Sequence, residues 1–279
     1  MDWLKATQEL RAGRTPAVIV TMAIVRGHAP RNGGAKMVVS PDAVFGTVGG
    51  GNLEATAIDR ARRMLATSAG EPELLTLTLS DKSMTAYGVQ CCGGEVTMLL
   101  EPVPVVPSVA VFGIGHVGIE LVRILSRHPI ELHLIDSRMA MLAPERVGVP
   151  GESGLLSDAV ATVVLHTLPV PEVGLAGLPT GTHVLVMTHD HAEDLAICET
   201  ALRTARLGSI GLIGSTSKWA RFRKELREVG HADDDVARII TPIGIPGIAS
   251  KDPAAIAVSV AARILQLIEV QAPAASARP

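Results

Sequence analysis

A chain of 279 residues, 47% apolar and 19% charged, is long enough for two modest domains or one large one and can bury a core without disulfide staples. A formal net charge of −3 and 2% aromatic content supply neither the basic excess nor the stacking platforms of a nucleic-acid binder, so nucleic acid is not expected as a partner. The three cysteines are few and odd in number, as in a reducing compartment, residues 1–5 open no signal-peptide core, and the early apolar run 17–25 is too short for a bilayer. The expectation is a cytoplasmic protein without a membrane partner.

Residues 3–11 space apolar and charged side chains as a short surface helix does. The run 16–25 (PAVIVTMAIV) is continuous and β-branched and predicts a buried strand. Residues 27–34 are rich in turn formers, 36–40 read as a short strand, and 45–54 lead into a helix to about 67. Segments 73–79 and 95–102 alternate as strands do. No βαβ repeat is visible in this part, which reads as α+β. The proline-rich stretch 102–107 (PVPVVP) cannot continue a central strand and marks a boundary. The expected organisation is a smaller α+β domain over 1–105, a second domain over 106–271 and a flexible tail over 272–279. In the second domain, strands at 109–112, 131–135, 161–165, 183–187 and 209–213 alternate with helices at 117–127, 192–205 and 217–229, and an apolar helix follows at 254–270. That alternation predicts an α/β fold, a Rossmann-type parallel sheet with right-handed crossovers.

Between the first strand and helix of this domain stands Gly113-x-Gly115-x-x-Gly118. The first glycine of such a turn permits its tightness, the second lets backbone approach a phosphate, and the third lets helix and strand pack closely. The helix N-terminus adds free N–H groups and a positive dipole end. Asp136 ends the next strand, 18 residues beyond Gly118, where an acidic side chain meets a ribose hydroxyl in dinucleotide-binding folds. The other reading of the same pattern is a scaffold kept for packing.

A second turn contains Gly49, Gly50 and Gly51 and also opens a helix. Three consecutive glycines are costly in chain entropy and make sense where backbone meets an anion or another chain, or at a tight strand–helix junction. Arg26, His28 and Arg31 precede it and can complete an anionic pocket or simply face solvent. Cys91 and Cys92 stand before two glycines, an accessible setting for thiolates that bind soft metals or carry sulfur. His189 and His191 flank Asp190 at the carboxyl end of a strand; with Asp194 they can bind a metal or hold a substrate, or merely decorate a helix N-cap. Ser215 and Lys218 lie on a further strand-to-helix turn, placed to touch an anion in the same crevice.

Taken in order, the stretches 34–39, 46–54, 90–94, 111–118, 135–138, 188–191, 211–218, 242–244 and 253–259 resemble the XdhC/CoxI family, the accessory proteins of xanthine dehydrogenase maturation, over nearly the whole length. Glu95 departs from the pattern, standing where a basic residue is expected. The resemblance implies a molybdenum-cofactor chaperone, a homodimer that holds the molybdopterin-type cofactor while a cysteine desulfurase installs its sulfido ligand. It would then help insert the cofactor into the molybdenum subunit of apo xanthine dehydrogenase. It also implies cofactor contacts from His116 and Arg138 beside Gly113, Gly115, Gly118 and Asp136, and molybdenum near Cys91 and Cys92. Such a protein has no turnover of its own. The competing reading is an NAD(P)-dependent oxidoreductase using Gly113, Gly115, Gly118 and Asp136; against it, the single tyrosine, Tyr87, lies outside the Rossmann half.

Overall fold

The computed structural model describes residues 2–67, 70–79, 94–149 and 151–271. Cys91, Cys92 and the expected tail at 272–279 lie outside the described residues. Two compact units make up the chain: Met1–Val105 together with the chain's end from Glu269, and Val106–Ile268.

The first unit runs α1 (Trp3–Ala12), β1 (Ala17–Arg26), β2 (Lys36–Val39), β3 (Val44–Gly46), α2 (Gly51–Ala66), β4 (Glu73–Thr78) and β5 (Glu95–Val103). Its strands form one antiparallel sheet in the order β3-β2-β1-β5-β4. Alternation sets its buried face: Val18, Val20 and Met22 of β1 and Val96, Met98 and Leu100 of β5 point one way. Helix α2 covers them with Leu53, Ala57, Ala61 and Met64, which share one face at helical spacing. β5 runs through Pro102, which sequence had placed at the strand's end. β4 begins opposite Leu100, so at Pro102 only β1 pairs with the strand and the missing N–H breaks no central ladder.

The second unit runs β6 (Ser108–Phe112), α3 (His116–Leu125), β7 (Glu131–Asp136), α4 (Pro144–Val147), β8 (Thr162–Thr167), β9 (His183–Val186), α5 (His191–Arg203), β10 (Ser209–Leu212), α6 (Thr216–Glu228), α7 (Asp233–Val236), β11 (Ile239–Ile240) and α8 (Pro253–Gln271). The sheet is parallel throughout, in the order β11-β10-β9-β6-β7-β8. Every residue of β6 and β9 is buried, as in a strand covered on both faces. One face carries Leu121, Val122 and Leu125 of α3 with Ala257, Val260, Ala261 and Ile264 of α8; the other carries α5 and α6 through Ile197, Ala201, Phe222 and Leu226. By length and composition α8 is apolar enough to cross a membrane, yet these four residues sit in the core. Strand order reverses between β6 and β9, the place where ligands enter open α/β sheets. Sequence missed β3, β11, α4 and α7, all of four residues or fewer and too short to show a period.

A polar chain of side chains lies along β7 and β8. His133 is buried, its Nδ1 stands 3.0 Å from Nε2 of His166, and its Nε2 is 3.2 Å from the Glu131 carboxylate. Burial holds the His166 imidazole below its ordinary pKa. The unfolded chain therefore takes up this proton first, at about pH 6.5, so stability is whole above that pH and falls as the pH drops below it. The melting temperature should decline between about pH 7.5 and about pH 5, and His166→Gln should flatten that slope. An unchanged slope would assign the acid sensitivity elsewhere.

Candidate functional site

The turn after β6 is built by its glycines. Gly113 has φ +98°, and its N–H donates to the Ile135 carbonyl at 2.8 Å. A Cβ there would stand 2.4 Å from the Met187 carbonyl oxygen, and one on Gly118 would stand 2.2 Å from the Gly113 oxygen. Both positions are closed by backbone, as close packing of turn, strand and helix requires. Gly115 differs: a Cβ there meets nothing within 4 Å. It is the N-cap of α3, and among the described residues no side chain caps that helix. By contrast, Asp2, Asp190 and Ser215 accept first-turn N–H groups of α1, α5 and α6. The first turn of α3 and the positive end of its dipole thus lie beside a residue with room at its Cβ position, with exposed His116 next to it.

Asp136 and Arg138 brace this turn. The Asp136 carboxylate, almost wholly buried, accepts from the Ile114 N–H at 2.7 Å and from Arg138 three times, through its backbone N–H, Nε and Nη2, at 2.9 to 3.0 Å. Burial alone would raise the Asp136 pKa; the hydrogen bonds from Arg138 and Ile114 outweigh it and hold the group below its ordinary value. A carboxylate has about four lone-pair sites, and all are engaged. No acceptor remains for a ribose hydroxyl without breaking one of these bonds. Arg146 was not singled out from sequence. From α4 its Nη2 donates to the Ile114 carbonyl at 2.9 Å, while its buried Nε has no hydrogen-bond partner among the described residues. The guanidinium places a fixed positive charge at the turn. No periodicity or motif marks Arg146, because α4 is a single turn.

The loops after β9 and β10 are tied together from below. The Asp194 carboxylate is completely buried; it accepts the Thr188 N–H at 2.9 Å and pairs with the Lys218 ammonium, which also donates to the Ile213 carbonyl at 2.9 Å. Lys218 is therefore part of a buried ion pair, not a free cation in the crevice. Gly214 makes room for it, since a Cβ there would stand 2.8 Å from Cδ of Lys218. Ser215 caps α6 by accepting the Lys218 N–H at 3.2 Å. Asp190 caps α5 through the Ala192 and Glu193 N–H groups, which lower its pKa, and His189 and His191 are exposed on either side. Among the described residues no three His, Cys, Asp or Glu side chains come together as a metal site. Cys198 is buried, and burial first, then the Asp194 charge, pushes its thiol up to about 12, so it stays protonated and inert.

In the first unit, the turn through Gly49, Gly50 and Gly51 has positive φ at all three glycines. Its donors already hold an anion. The Glu54 carboxylate accepts from the Val48 and Gly50 N–H groups at 3.1 and 3.2 Å and from the Thr47 hydroxyl. Gly49 packs on Pro30, where a Cβ would stand 2.5 Å from Cγ. Arg26, His28 and Arg31 are exposed, and Arg26 pairs with Glu95 at 3.1 Å, an exposed pair of small energetic weight.

A glycine turn without a side-chain cap at the switch point of a parallel sheet, preceded in the chain by an antiparallel-sheet unit, defines a protein with a Rossmann-type domain. Residues 109–264 match the family model described as the XdhC Rossmann domain, and residues 10–78 match that of the XdhC and CoxI family. The first match spans more than half the chain, and the chain belongs to the XdhC family. It is 27% identical over 269 residues to the molybdenum cofactor insertion chaperone PaoD of Escherichia coli K12, covering 86% of this chain and 80% of PaoD. It is 25% identical over 268 residues to the uncharacterized protein YqeB of the same organism, covering 96% of this chain but only 46% of YqeB. The chain thus spans about half the length of that relative. A solved structure described as a xanthine dehydrogenase from Bacillus halodurans is 20% identical, covers 99% of this chain and 98% of its own, and has a TM-score of 0.47.

Proposed function

We propose that this protein binds molybdenum cofactor as cargo, with the cofactor's phosphate on the turn Gly113–Gly118, and inserts it into an apo molybdenum enzyme. The observation that carries this reading is the N-terminus of α3: first-turn N–H groups without a side-chain cap among the described residues, room at the Gly115 Cβ position and the Arg146 guanidinium together suit a phosphate. Support for the cargo comes from family membership and from the similarity to PaoD, a molybdenum cofactor insertion chaperone. The finer reading follows the family resemblance. The chain acts in the cytoplasm as a homodimer and holds the cofactor while a cysteine desulfurase sulfurates it. The molybdenum subunit of apo xanthine dehydrogenase receives it, and Cys91 and Cys92 stand near the metal. The test is capture: protein purified from cells that make the cofactor is denatured, its pterin is oxidised to a fluorescent product, and both pterin and NAD are quantified. About one pterin per chain is expected, and light scattering of the same sample should report twice the chain mass. Stoichiometric NAD without pterin would replace the proposal with the oxidoreductase reading.

A further inference from the structure

Three carboxyl groups gather where the strand order reverses, and two of them are fully engaged. Asp136 is held by Ile114 and Arg138, and Asp194 pairs with Lys218 and accepts the Thr188 N–H. Glu193, in the first turn of α5, differs from both. One of its carboxylate oxygens accepts from the Ser137 hydroxyl at 2.9 Å, and among the described residues the carboxylate makes no other hydrogen bond and no ion pair. A carboxylate has about four lone-pair sites, so most of its acceptor capacity is unused. Burial holds its pKa above the ordinary value; the Asp136 and Asp194 charges add to this, and the Ser137 bond and His189 oppose it. A half-buried carboxylate with spare acceptor sites and no bonded cation is suited to N–H groups brought by a ligand.

Its position is set by the sheet. Ser137 follows the last residue of β7, and Glu193 opens the helix that follows β9. β6 lies between those strands, so at about 4.8 Å per strand their ends are roughly 10 Å apart. The Ser137–Glu193 bond bridges that gap at the end of β6, where the Gly113 turn begins. From the turn, α3 packs on one face of the sheet, while α5 packs on the other. The ligand crevice of an open α/β sheet lies between connections that part in this way. A ligand with its phosphate on the α3 side therefore extends its other end toward the first turn of α5. Two N–H groups side by side match a carboxylate whose oxygens can both accept. A pterin carries that pair in its ring N3–H and 2-amino group. We infer that Glu193 reads the ring of the cargo: its carboxylate accepts from the N3–H and 2-amino group of a pterin whose phosphate rests on the turn Gly113–Gly118. Ser137 is then a positioning residue that fixes the carboxylate. This rests on the reading that the protein carries a phosphate-bearing pterin cofactor.

The test compares two fluorescent rings without phosphate, titrated into the full chain at neutral pH. One is 6-hydroxymethylpterin; the other is 6-hydroxymethyllumazine, in which a carbonyl replaces the 2-amino donor. The wild-type chain should prefer the pterin about tenfold or more, because the lumazine sets an acceptor against the carboxylate. Glu193→Gln keeps the side chain's shape and an acceptor for Ser137, yet it should weaken pterin binding about tenfold and abolish the preference. Glu199→Gln, farther along α5, should change neither affinity. Ser137→Ala should keep the preference, since a positioning residue alters affinity and not the choice of ring. Equal affinity of the wild-type chain for the two rings overturns the assignment, as does a preference that survives Glu193→Gln. Equal losses in Ser137→Ala and Glu193→Gln with the preference intact would make Glu193 a tether between α5 and β7 and also overturn it. A wild-type chain that captures whole cofactor yet shows no affinity for the free pterin does the same. Failure of the cargo reading is detected separately, as wild-type protein that carries no pterin when purified from cells that make the cofactor.

Discussion

Gly115→Val should fold and fail to bind. Its Cβ enters open space and φ at this position is −73°, so the cost is that of a poor N-cap, about 1 kcal/mol, or a fall of roughly 2–4 °C in melting temperature for a domain of this size. A branched side chain over the first turn of α3 would exclude a phosphate held as proposed, and cofactor retention should drop about a hundredfold or more. The neighbouring glycines behave in the opposite way. Gly113→Ala forces a Cβ into the Met187 carbonyl at positive φ, and Gly118→Ala forces one into the Gly113 carbonyl. Each should cost about 2–4 kcal/mol and lower the yield of folded protein before any question of binding arises. If Gly115→Val retains its cofactor at wild-type level, the turn is a scaffold and the phosphate lies elsewhere.

The largest loss of stability is expected at Asp194. Asp194→Ala leaves the Lys218 ammonium, 8% exposed, without its counter-charge, and leaves the Thr188 N–H without an acceptor. Truncating one partner of such a buried pair costs about 3–5 kcal/mol. The double variant Asp194→Asn with Lys218→Met removes both charges and keeps an acceptor for Thr188, so it should regain about half or more of that loss. Urea titrations of the two variants against the wild-type chain decide it. A cost below about 1 kcal/mol for Asp194→Ala would show that water reaches the pair.

Much of the architecture was readable from the chain because geometry restricts the residues. The βα turn after β6 tolerates only glycine at Gly113 and Gly118, where backbone closes in, so the motif and its place between strand and helix announce the parallel sheet. Buried strands such as β6 and β9 read as unbroken apolar runs for the same physical reason. What stayed hidden depends on partners that only the fold brings together. Lys218 looked like an anion contact until Asp194, 24 residues away, met it across two loops. Asp136 looked free for a ribose until Arg138 turned back on it.

The glycine turn of the first unit has a different consequence. A carboxylate tethered four residues from Gly50 competes for the turn's donors at an effective concentration of order millimolar or higher, whatever the cell contains. A free phosphate at micromolar concentration loses that contest, so the turn behaves as a lock already carrying its key. Nature can use the same nest of N–H groups either to catch a ligand or to rivet a helix to a strand, and the choice rests on one glutamate. In this chain Glu54 makes the first nest a rivet between β3 and α2, and among the described residues no side chain plays that part at Gly115.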